Sequence, residues 1–188
     1  MSESTLTNAV TVVFLLFFTT ILIGWVGTAQ NHAIGEEFMS LFEKDVAGQM
    51  AGGSDLEIGS KIFLNNIEAC ILLFLGGASF GILTLFIMSL NGVVIGAILE
   101  IVHEQHSAAF VAAAIIPHGI FEIPGFVIAG ALGVMLSQSM VNEYYGAGDA
   151  AADARQLAYR FGLMVLPLIA IAAMVEAFIT PQVIQLVV

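Results

Sequence analysis

Positive charge is almost missing from this chain. Among 188 residues only Lys44, Lys61, Arg155 and Arg160 are basic, against 15 Asp and Glu, for a net charge of −11. That balance excludes a nucleic-acid partner and excludes docking on anionic lipid through a basic patch. Charge of either sign is scarce, at 10% of residues, where soluble domains carry about 25%. The chain has one cysteine, Cys70, so an internal disulfide and a zinc–thiolate cluster are both excluded. Cys70 lies in an apolar run and reads as a packing residue. Loops rich in Asp and Glu but poor in Lys give a halophile-like, acidic composition, as in proteins of a high-salt cytoplasm. No P-loop and no H-E-x-x-H signature occurs; "HEQH" at 103–106 sets its histidines only three apart. An enzyme is therefore not expected, nor a catalytic residue, a metal site or a cofactor.

What the chain does have is long apolar sequence. Its residues are 59% hydrophobic, its mean hydropathy is +1.00, and a bilayer-spanning helix needs about 20 apolar residues. The expected fold is all-α, a polytopic transmembrane helical bundle forming one integral membrane domain with four to five spans. Spans read at about 9–29, 62–90, 118–141 and 161–180. No Lys or Arg precedes the first, so it reads as a retained helix and not a cleaved signal. An acidic loop covers 30–60. Within it Ile34, Phe38, Leu41, Phe42 and Val46 recur at helical steps, the pattern of an amphipathic helix.

Asn91-Gly92 reads as a turn. The runs 93–102 and 108–116 that follow are each about ten residues, too short to span. They are expected to form a re-entrant helix pair with "HEQHS" at an interface. Joining them would carry Glu100, His103, Glu104 and His106 towards mid-bilayer, at several kcal/mol. In that topology the two long loops, with the basic residues in or beside them, share one side, the cytoplasmic one. Small residues recur every fourth position: Gly77 and Gly81, Gly92 and Gly96, Gly125 with Ala129 and Gly133, Ala173 and Ala177. Such stripes let helices approach closely in lipid. Gly125, Ala129 and Gly133 are expected to make one flat contact, and assembly as a homo-oligomer stays open.

The polar residues set at depth are Asn65, Asn66, Glu68, Asn91, Glu100, His118, Glu122 and Glu176. "PHGIFEIPG" at 117–125 concentrates them. His118 and Glu122 are four apart, so on a helix they share a face. Pro117, Pro124 and Pro181 read as helix breaks: Pro117 suits a helix start, Pro124 would loosen the turn behind it, and Pro181 would end the last span. A charge at the centre of a span costs about 2.5–3.5 kcal/mol on insertion scales. His118, Glu122 and Glu176 are therefore expected to converge with Asn65, Asn66 or Asn91 in one buried cluster.

Five stretches in order, "FLNNI" at 63–67, "NG" at 91–92, "PHGIFEIPG" at 117–125, "IAGALG" at 128–133 and "EAFITP" at 176–181, resemble the stage II sporulation protein M family. The resemblance covers about 61–181. It implies a multi-pass protein of the cell membrane that acts as a non-enzymatic scaffold. In spore formers the family's named member anchors peptidoglycan-degrading and peptidoglycan-binding partners at the septal membrane. A haloarchaeal-type member would have neither spore nor peptidoglycan, so its partners would be other membrane or membrane-associated proteins within the lipid bilayer. The alternative is a transporter or channel with an intramembrane polar site on His118, Glu122 and Glu176. The two differ in whether those side chains face a cavity or a dry core.

Overall fold

The computed structural model describes residues 3–31 and 53–187. The expected amphipathic segment at 34–46 lies outside the described residues. Among the described residues there are six α-helices and one 3-10 turn: α1 Glu3–Gln30, α2 Asp55–Leu75, the 3-10 turn Gly76–Ser79, α3 Ile82–Gln105, α4 Ala108–Tyr144, α5 Ala150–Phe178 and the short α6 Thr180–Gln185. Among the described residues there is no strand, and α1 to α5 are long and apolar enough to cross a membrane.

Three of the helix starts follow from polar residues that satisfy the first N–H groups. Ser54 opens α2 with a capping box: its hydroxyl accepts from the Glu57 N–H at 3.4 Å, and its own N–H donates to Glu57 Oε2 at 2.9 Å. The Ser107 hydroxyl accepts from the Phe110 N–H at 3.2 Å to open α4. Asp149 Oδ1 does the same for the Ala152 N–H at 2.9 Å at the start of α5.

The middle of the chain differs from the expected layout, and the reasons are local. The run at 62–90 is not one span. It breaks at 76–81, where Phe80 and Gly81 take positive φ values of 55° and 85°, and the Ser79 hydroxyl accepts from the Leu83 N–H at 2.9 Å. Gly81 is thus a turn residue. Asn91-Gly92 does not turn, because the Asn91 amide donates back to the Ile87 carbonyl at 2.8 Å, one helical turn earlier. The runs 93–102 and 108–116 are the ends of α3 and α4, so full-length helices replace the re-entrant pair. "HEQHS" becomes the exposed corner between them, with only Glu100 drawn inside. Pro117 and Pro124 lie within α4 and Pro167 within α5 without interrupting either helix. Pro181 does follow a break, in the first turn of α6.

Pairwise contacts fix the directions. Gly92 and Gly96 of α3 lie on Thr20 and Ile21 of α1, so these two helices run parallel. Gly77 beside α4's Gly133, with Asn66 beside Glu122, makes α2 and α4 parallel. Ser139 donates to Asp153 Oδ2 at 2.8 Å and Gly125 faces Ile169, so α4 and α5 are antiparallel. Five alternating spans put the α1–α2 link and the α4–α5 link at opposite ends of the bundle. The expected common side for the two loops is therefore lost: Lys61 lies towards one end, Arg155 and Arg160 towards the other, and the charge rule no longer orients the protein.

The hub is α4. Its apolar window is 61% buried against 28 to 33% for the other four, which leaves the outer helices large lipid-facing surfaces. The small residues of α4 serve different neighbours instead of one stripe. Gly125 meets Ile169 and Leu168 of α5, Gly130 meets Val13 of α1 and Met88 of α3, and Gly133 meets Leu73 of α2 and Thr84 of α3. Ala129 is fully buried between them. A 100° rotation per residue turns positions eight apart to different sides of a straight helix, which is why one contact became several. Ala173 and Ala177 of α5 receive Gly59 of α2.

Candidate functional site

The α1–α3 pair and the α2–α4–α5 group flank a half-open cavity of about 340 Å³. Phe17, Ile21, Ile95, Ile98 and Leu99 form its apolar wall, and Lys61, Asn65, Asn66, His118, Glu122 and Glu176 supply its polar side. Four-residue spacing on α4 puts His118 and Glu122 on one face. The antiparallel register of α5 brings Glu176 beside them, and the parallel register of α2 brings Asn66, whose amide hydrogen-bonds the Glu122 carboxylate. One donor atom from each of His118, Glu122 and Glu176 lies within 4.8 Å of the other two, and all three residues are half-buried. His118 Nδ1 is buried and has no hydrogen-bond partner. Two carboxylates so close in a low-dielectric setting repel each other unless a proton or a cation lies between them.

Not every polar residue singled out in the sequence arrives here. Asn65 lines the cavity, but Glu68 is on the exposed face of α2. Asn91 is spent on its own helix backbone. Where no metal was expected, the fold assembles a His–Glu–Glu donor set from two helices 54 residues apart, counting His118 to Glu122 as one face of α4 and Glu176 as the far partner. No local spacing signals that triad; only the hydrogen-bonding need of each buried group did.

A second buried carboxyl stands outside the cavity. Glu100 is 7% exposed and Thr28 2% exposed, and neither Glu100 Oε2 nor Thr28 Oγ1 has a partner. An unsatisfied buried polar group costs about 1–3 kcal/mol. Glu100→Met is therefore expected to raise the detergent melting temperature, by roughly 2–4 °C per kcal/mol recovered in a chain of this size. A fall would mean that Glu100 is satisfied in the folded protein and helps to hold α3.

One catalytic-looking pattern escaped the sequence reading. Gly77-Ala78-Ser79-Phe80-Gly81 has the G-x-S-x-G spacing of a nucleophile elbow, which needs a strand-to-helix turn and a nearby base. Here the motif joins two helices. The Ser79 hydroxyl donates to the Gly76 carbonyl at 2.6 Å and accepts from the Leu83 N–H at 2.9 Å, so it is committed to the turn. His118 lies fifteen residues down α4 from Gly133, which packs at this turn, a distance of about 22 Å along the helix.

Comparison with known proteins fits this architecture. The family model described as Stage II sporulation protein M matches residues 13–181. Two uncharacterised proteins of Methanocaldococcus jannaschii are similar to the chain. One is 26% identical over 126 residues, covering 65% of this chain and 71% of the relative. The other is 27% identical over 135 residues, covering 71% of this chain and 59% of the relative. No solved structure matches.

Proposed function

The chain belongs to the stage II sporulation protein M family and is a multi-pass membrane protein, and from that premise we propose that it binds a small cationic solute or ion in its central cavity and carries it across the cell membrane. The convergence of His118, Glu122 and Glu176 on that cavity is the observation that carries this reading. Ionisable groups inside a membrane bundle are expensive and normally mark a pathway for ions, protons or substrates. At about 30 Å³ per water, 340 Å³ suits a partly hydrated ion or a small amine. Two carboxylates against one lysine leave the polar wall acidic, which favours a positive cargo. The site lies between two helix groups, the arrangement that lets one group rock against the other.

A scaffold that recruits other membrane or membrane-associated proteins is the second reading. It is supported by the outer helices, whose apolar windows are only 28 to 33% buried and can take lipid, a partner or a second copy. On either reading the protein works without catalysis, in keeping with a Ser79 hydroxyl already held by its turn.

The test is uptake into proteoliposomes, with radiolabelled Zn²⁺, Mn²⁺ and methylammonium as probes. The informative variant is Gly119→Leu. Gly119 lines the cavity, and a Cβ there meets nothing nearer than 3.6 Å, so a larger side chain fills the space without disturbing the backbone. At least one probe is expected to enter about tenfold faster than into empty liposomes, with the variant at background and its melting temperature kept. If none of the three enters faster than into empty liposomes, the transport reading falls and the scaffold reading takes its place.

A further inference from the structure

We infer that His118, Glu122 and Glu176 form a binding site for a single divalent first-row transition cation, an inference that rests on reading the cavity as a cation site. The donor chemistry narrows the class. One imidazole nitrogen and two carboxylate oxygens suit Zn²⁺, Mn²⁺, Fe²⁺ or Co²⁺. Ca²⁺ takes six to eight oxygen ligands, and Cu(I) prefers sulfur; the chain's one cysteine, Cys70, is not among the lining residues.

The geometry is close to what one ion needs. Ligand atoms about 2.0–2.2 Å from a metal stand roughly 3–3.5 Å from one another. The three donors already lie within 4.8 Å, so small side-chain rotations close the site. Charge agrees: a dication offsets the two carboxylates, which otherwise repel each other at this depth. A separate observation points the same way. His118 Nδ1 is buried without a partner, and a cation bound at that nitrogen would satisfy it.

Asn66 has the role of a positioning residue. Its amide holds the Glu122 carboxylate, and such outer partners typically set metal affinity within about 10–100-fold. Three protein ligands leave at least one coordination position for water, so the ion can be exchanged and not only stored.

The experiment uses the full chain in detergent, carrying no polyhistidine tag, stripped with a chelator and dialysed against Zn²⁺ or Co²⁺. Metal analysis is expected to give one ion per chain, and Co²⁺ a visible ligand-field band. Glu122→Gln and Glu176→Gln should each weaken binding at least 100-fold, and Asn66→Ala about 10–100-fold. Glu100→Gln, outside the cavity, should bind as the wild type does, which separates the site from adventitious binding to any buried acid. Should the site variants fold poorly, Zn²⁺ must still raise the melting temperature of the wild type. The inference is overturned by the absence of stoichiometric metal, by a wild-type melting curve indifferent to Zn²⁺, or by metal retained in the Glu122→Gln/Glu176→Gln double variant. Its failure is distinguishable from that of the transport reading. Metal bound without uptake removes transport and leaves the site; methylammonium uptake without bound metal leaves transport and removes the metal.

Discussion

Replacing Gly77 with valine is expected to leave little folded protein. A Cβ at this position would collide with the Gly133 carbonyl, and it would stand 2.9 Å from the Leu136 Cβ. The first obstacle is backbone, which cannot rotate aside as a side chain can. Overpacking a core normally costs about 1–3 kcal/mol through side-chain adjustment. Here α2 and α4 would have to separate, and the loss spreads. The Thr84 hydroxyl donates to the Leu73 carbonyl at 2.8 Å, and Gly133 lies against both residues, so three helices meet at one point. Against a net stability of about 5–15 kcal/mol, the disruption should show as aggregated protein on size exclusion, or as a fall of ten degrees or more in melting temperature. Gly162→Val is the control, because a Cβ at Gly162 meets nothing within 4 Å. It should behave much as the wild type does. A Gly77→Val protein that melts within a degree or two of wild type would show that α2 and α4 do not approach as described.

How much of this was legible in the sequence depends on the kind of signal. The helical membrane class follows from apolar length, which is a one-dimensional property. Boundaries were harder, and the errors share a cause. Asn91-Gly92 looks like a turn, yet Gly92 lies against Phe17 and Thr20 of α1. A packing glycine and a turn glycine look the same until the partner helix is known. The true corner at Gly76–Gly81 has a turn-compatible composition but sits within an unbroken apolar run, so hydropathy hid it. Pro117 and Pro124 were read as breaks, although a long helix buried among neighbours tolerates the loss of a backbone donor better than an isolated one. For the site, the four-residue spacing of His118 and Glu122 was visible from the start. That Glu176 stands beside them depends on the antiparallel register of α4 and α5, fixed by contacts such as Gly125 with Ile169 that no local pattern encodes.

The second large effect concerns that register directly. In a background carrying Cys70→Ala, the paired replacements His118→Cys and Glu176→Cys are expected to create a high-affinity Cd²⁺ bridge. Cys70 is the chain's one cysteine and is fully buried, so its removal leaves no competing thiol and truncates only one small side chain. Two thiolates can share one soft ion only if their helices hold them a few ångströms apart, and donor atoms of the native residues lie within 4.8 Å. Both positions line the cavity, so water-borne reagents should reach them.

Protection against a membrane-permeant maleimide, measured in native membranes with and without micromolar Cd²⁺, tests the central claim that one accessible polar site joins α4 and α5. The account predicts that both thiols react without Cd²⁺, and that Cd²⁺ slows the paired variant at least tenfold more than it slows either single variant, each of which keeps two of the native donors. Labelling of the pair at the single-variant rate in Cd²⁺ would place the two side chains apart. Thiols unreactive even without Cd²⁺ would mean a dry core where the structure shows a cavity.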